Sequence, residues 1–129
     1  MMLILRIATL IHNKKSKEQR YTVMVEEPEL NLHPRLQSKL TELFHEVSKH
    51  RFRFIIETHS EYMIRQSQAL VHKEKYSNAS SINPNPFKVY YFPDDKPVYE
   101  MEYREDGKFI NSFGPGFFDV SSNLVFELL

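Results

Sequence analysis

The chain has 129 residues, of which 41% are hydrophobic and 13% aromatic, the make-up of a folded chain with a modest core rather than a disordered one. Seventeen basic and 17 acidic residues cancel, so no global field argues for nucleic acid. There is no cysteine, which excludes a disulfide framework and a Cys-ligated zinc site.

The opening MMLILRIATLIHNKK looks at first like a secretion signal, but Arg6 interrupts the apolar run, the positive charges follow it, and no small-residue cleavage site appears. It is also too short to span a bilayer. The expectation is a soluble, cytoplasmic protein without a membrane partner. Leu3, Ile4, Ile7, Leu10 and Ile11 recur at three and four, one apolar face of a helix from Met1 to about Asn13. His12 to Arg20 is a polar, basic connector, read as a solvated loop.

Tyr21 to Val25 (YTVMV) is short and rich in β-branched residues, and reads as a strand buried on both faces. Glu26 and Glu27 sit side by side at its end, before Pro28 stops regular pairing. The carboxyl ends of strands are where open α/β sheets bind ligands, and acids placed there are costly unless a cation or donor meets them. The pair is thus a site candidate on its own chemistry, although tandem acids are also common in solvated turns.

Pro34 suits the first position of a helix, and Leu36, Leu40, Leu43, Phe44 and Val47 recur at helical spacing up to about Lys49. Phe52 to Ile56 is a second strand, ending at Glu57-Thr58-His59. Ser60 then caps a helix carrying Tyr62, Met63, Ile64, Leu70 and Val71. Glu61 and Arg65 are spaced to pair on it. Strand, helix and strand in this order predict a parallel βαβ unit. Ser77 to Pro86 is a loop, Phe87 to Phe92 a third strand and Val98 to Arg104 a half-exposed one. Asp106-Gly107 signals a turn with Lys108 to Asn111 returning, and Phe117 to Leu129 reads as a terminal helix. His45, His50 and His72 read as surface residues, Glu57 and Glu61 as polar element ends, and Tyr90-Tyr91-Phe92 as sheet core.

VMVEEPELNLHP resembles the Walker B strand and D-loop of ABC-type ATPases of the AAA family, in the branch holding SMC-like, OLD-like and Septu-type members. FRFIIETHSE resembles that branch's next strand, which ends in the switch histidine, and GKFINSFGPGFFD resembles a C-terminal module of uncharacterised bacterial members. The resemblance implies an α/β fold: part of a P-loop-NTPase parallel sheet with flanking helices over residues 1–92. A small C-terminal module, a β-hairpin and a helix, would follow over residues 93–129.

Phosphoryl transfer from ATP needs a phosphate cradle, a carboxylate organising Mg²⁺ and a group orienting the attacking water. By resemblance Glu26 acts on Mg²⁺, although most of the family has Asp there. Glu27 polarises the water, and His59 senses the γ-phosphate. Asn31, Leu32 and His33 fall in the D-loop, which in the family touches the nucleotide-bearing opposite subunit; His33 stands where Asp is more general. DNA maintenance or anti-phage defence is the implied setting.

No G-x-x-x-x-G-K-[ST] occurs, and the only glycines are Gly107, Gly114 and Gly116. The ABC signature motif is missing too. The expectation is a C-terminal fragment or subunit, completed by a missing N-terminal half or partner polypeptide. It would bind ATP and Mg²⁺ only in the intact assembly, and nucleic acid only through it. Alone it would be inactive and prone to self-association through an uncovered sheet. Two rivals remain: a non-catalytic interaction or regulatory module, and a metal-dependent nuclease using Glu26, Glu27 and His59.

Overall fold

A short β-branched run is stable as a strand only when another strand satisfies its backbone. In the computed structural model, which describes residues 5, 6, 8, 9, 12 and 19–128, Tyr21–Glu26 (β1) pairs with Phe52–Glu57 (β2). The pairing is parallel and in register from Tyr21↔Phe52 to Glu26↔Glu57. Parallel neighbours need a crossover, and Pro34–Ser48 (α1) supplies it. His33 is its N-cap, with Nδ1 accepting from the Arg35 N–H at 3.3 Å, and Pro34 opens the first turn, where a missing N–H costs nothing. Of the helix expected before β1, Leu5, Arg6, Ala8, Thr9 and His12 are helical; its apolar positions lie outside the described residues, as does most of the connector after it.

Glu61–Glu74 (α2) follows β2, with Ser60 Oγ accepting from the Met63 N–H at 3.2 Å and Lys75 closing the helix in the left-handed region. The expected Glu61–Arg65 pair forms at 3.4 Å. α2 packs on α1, where the buried Thr41 Oγ1 donates to the Met63 carbonyl at 3.1 Å. Phe44, Phe52, Met63, Leu70, Val71, Met101 and Tyr103 form the core.

Three expectations about burial need correction. β1 is not covered on both faces: its residues alternate half-buried and exposed, and the register partners Met24 and Ile55 are 76% and 50% exposed. Among the described residues only one face of the pair meets a helix, α1 against β2. His45 is not a surface residue. It is buried on α1, its Nε2 3.2 Å from the Tyr76 hydroxyl and its ring 5.1 Å from that of Phe87. Burial, and secondly the Lys49 charge, push its pKa down. Of Tyr90-Tyr91-Phe92, only Tyr91 turns inward, because neighbouring strand residues face opposite ways; Tyr90 and Phe92 are exposed.

The rest of the chain makes a second, antiparallel pair, Val89–Tyr91 (β3) with Tyr99–Met101 (β4), separate from β1–β2. The Asp106-Gly107 turn forms, with Gly107 N–H donating to the Arg104 carbonyl at 2.9 Å. The returning strand, however, reduces to the Tyr103↔Phe109 bridge. The side chain of Asn111 takes ladder positions itself, accepting from the Glu102 N–H at 3.0 Å and donating to the Glu100 carbonyl at 2.8 Å. This part docks on α2 through a buried hydroxyl pair, Ser67 Oγ and Tyr103 OH at 2.7 Å, and through Arg65 lying 4.1 Å over the Phe118 ring. Phe113 sits amid rings, with centroids of Phe117 at 4.7 Å, Phe118 at 4.6 Å and Tyr91 at 5.1 Å. That cluster holds Phe117 and Phe118 ahead of the terminal helix, which spans Val120–Glu127 (α3) and buries no residue.

Candidate functional site

The site grows out of how the two parallel strands end. At the last ladder position Glu26 faces Glu57, and both are exposed. The next residue, Glu27, still donates its N–H to the Glu57 carbonyl at 2.9 Å, but its backbone swings into the left-handed region (φ 42). For a non-glycine residue that conformation costs on the order of 1 kcal/mol, and it redirects the side chain away from the strand's alternation. Two tight turns follow, with Leu30 N–H donating to the Glu27 carbonyl at 3.1 Å and Leu32 N–H to the Glu29 carbonyl at 3.0 Å. Asn31, at φ 62, takes the left-handed position that its short amide tolerates well.

This turn brings Glu27 beside the exit of β2. Nε2 of His59 stands 3.9 Å from Oε1 of Glu27, their side chains 75% and 43% exposed. The separation is beyond a direct hydrogen bond and within reach of one bridging water. A carboxylate and an imidazole facing solvent across such a gap can polarise a water and sense a neighbouring anion.

Underneath lies a residue the sequence reading did not single out. Glu29 is 8% exposed, and its Oε1 accepts from Thr58 Oγ1 at 2.7 Å and from the His59 N–H at 2.8 Å. Its Oε2 is buried and has no hydrogen-bond partner among the described residues. Nothing in the local pattern distinguishes Glu29 from a solvated turn acid; only the fold of the second strand exit over it does. Gln37 braces the same turn, its amide donating to the Leu32 carbonyl at 2.9 Å and accepting from Ser60 Oγ at 2.5 Å.

Glu27 and His59 are therefore brought together, while Glu26 stands on the exposed side of β1, Asn31 lies exposed in the turn, and His33 is engaged in capping α1. Glu57 and Glu61 end a strand and begin a helix, as expected. Among the described residues no three His, Asp or Glu side chains are grouped to hold a metal ion. Glu26 offers a single exposed carboxylate at the end of β1.

The architecture is thus a parallel βαβ unit with polar groups gathered at the carboxyl ends of its strands. Residues 1–64 match the family model of the AAA ATPase domain, so over this stretch the chain is similar to such ATPases, and the match supports an ATPase-type fragment. It ends inside α2 and takes in every residue of the site. No curated protein and no solved structure matches the chain. Among the described residues no helix is long and apolar enough to cross a membrane.

Proposed function

We propose that the chain supplies the hydrolytic half of an ABC-type, SMC/OLD/Septu-like AAA ATPase. The observation that carries this is the approach of His59 to Glu27 at adjacent parallel strand exits, inside the stretch similar to AAA ATPase domains. Glu27 orients and polarises the attacking water; His59 meets the γ-phosphate; Glu26 serves Mg²⁺, directly or through its water shell. Asn31, in its exposed turn, is the residue offered to the nucleotide of an opposing subunit. His33 sets that turn's far end by capping α1. Mg²⁺, where bound, screens the phosphate charge.

The phosphates themselves need a cradle, and this sequence carries no P-loop. A second polypeptide or domain must provide it, in a dimer-like assembly acting in DNA maintenance or defence. The uncovered Met24–Ile55 face is the surface it would cover, since parallel sheets are stable when both faces are buried. Residues beyond 92 form the small C-terminal module of this reading.

Purified chain titrated with Mg·ATP tests the division of labour. Weak binding and no phosphate release are expected. Robust turnover by the pure protein would overturn the reading.

A further inference from the structure

We infer that Glu29 is the positioning residue of this site, a buried latch that holds the β1 exit turn against the β2 exit and sets His59 opposite Glu27. Its cost is the first argument. A carboxylate that is 8% exposed with only one oxygen engaged is expensive, since the second, Oε2, meets no donor among the described residues. An apolar side chain in the same turn would avoid that cost, and burial alone does not account for an acid there.

What Oε1 binds is the second argument. Its two donors are consecutive residues, the Thr58 hydroxyl at 2.7 Å and the His59 N–H at 2.8 Å, so the carboxylate grips the backbone of the histidine itself. Thr58 Oγ1 also accepts from the Ser60 N–H at 3.0 Å, and so sets how α2 begins. Glu29 is likewise fixed from its own side, because its carbonyl closes the turn through Leu32 while Glu27, two residues back, closes the preceding one through Leu30. The strand ladder ends at Glu26↔Glu57 and the Glu27 N–H to Glu57 carbonyl bond. Beyond it, among the described residues, Glu29 is the side chain that bonds directly to the histidine's backbone. The function of the latch rests on the ATPase reading of Glu27 and His59, but its geometry is measurable without nucleotide.

The test is NMR on the purified chain. In wild type, Glu27→Gln is expected to shift the His59 imidazole resonances, and the His59 amide is expected to exchange slowly with solvent. In Glu29→Ala the amide should exchange about tenfold faster or more, the scale of one lost hydrogen bond to a charged acceptor. The imidazole should then no longer respond to Glu27→Gln. Glu29→Gln, which keeps an acceptor oxygen, should restore both signals, whereas Glu29→Met, of similar size but without that oxygen, should not; a merely space-filling role would let both variants restore them. If Glu29→Ala does not fold, Glu29→Asp carries the test, since its shorter reach should at least halve the imidazole response. A folded Ala or Asp variant with His59 exchange and response as in wild type would overturn the latch. An intact latch in a protein that never hydrolyses ATP with any partner would instead count against the ATPase reading.

Discussion

Gly107 lies so close to α2 that a Cβ built on it would stand 2.2 Å from the backbone carbonyl oxygen of Gln68, and its φ of +81 falls in the region glycine alone enters freely. The Asp106-Gly107 turn is therefore a point where the C-terminal part of the chain rests on α2. Neither partner can give way, because the obstructing atom belongs to the helix backbone. Gly107→Ala should cost about 2 to 4 kcal/mol, combining overpacking with left-handed strain. Urea denaturation would show it as a lower midpoint at unchanged slope.

The same contact surface holds a buried hydroxyl pair, Ser67 Oγ and Tyr103 OH at 2.7 Å. Ser67→Ala leaves the buried Tyr103 hydroxyl unsatisfied, at about 1 to 3 kcal/mol, whereas in Tyr103→Phe Ser67 Oγ keeps its bond to the Ile64 carbonyl at 2.7 Å and the cost should be smaller, about 1 kcal/mol. The double variant should be less destabilised than the sum of the two, which a thermodynamic cycle would measure. Burial also raises the Tyr103 pKa to about 12. Its folded value lies above the ordinary tyrosine value of 10.0, so the associated stability is full below pH 10 and is lost as pH climbs toward 12. Tyr103→Phe should remove that alkaline component.

His45 gives the opposite dependence. Its folded pKa lies below the ordinary histidine value of 6.5, chiefly from burial, so both states are neutral and its contribution is complete above that value. As pH falls below 6.5 the unfolded chain takes up the proton first, and stability declines down through the folded pKa. Melting temperatures of wild type and His45→Gln, compared from pH 8 to pH 5, should converge on the acid side.

Much of this was legible from spacing alone. Tyr21–Glu26 and Phe52–Glu57 declared themselves by β-branched runs, Pro34 and Ser60 by the chemistry of helix starts, and Asp106-Gly107 by turn chemistry, whereas the capping role of His33 came only with the structure. Burial was harder to read, because it depends on what lies across from a residue. His45 carries a polar ring on a helix whose leucines look like its inner face, yet Leu36 and Leu43 are exposed while Thr41, Phe44 and His45 are buried. Glu27 and His59 were placed together by motif; the distance between them, and the carboxylate of Glu29 beneath, depend on two loops folding over each other.

The exposed sheet face yields another expectation. Met24→Thr with Ile55→Thr replaces two exposed apolar side chains by β-branched polar ones that suit a strand. Sedimentation velocity should show reduced self-association, while the unfolding midpoint stays nearly unchanged.

The most direct test is ATP hydrolysis by the chain co-expressed with a P-loop-bearing half of an AAA ATPase domain. The assembly should hydrolyse Mg·ATP, the chain alone should not, and Glu27→Gln should lower turnover by about a hundredfold or more while nucleotide stays bound, as expected for loss of a general base. Equal turnover with Glu27→Gln in place, or with His59→Ala, would contradict the account.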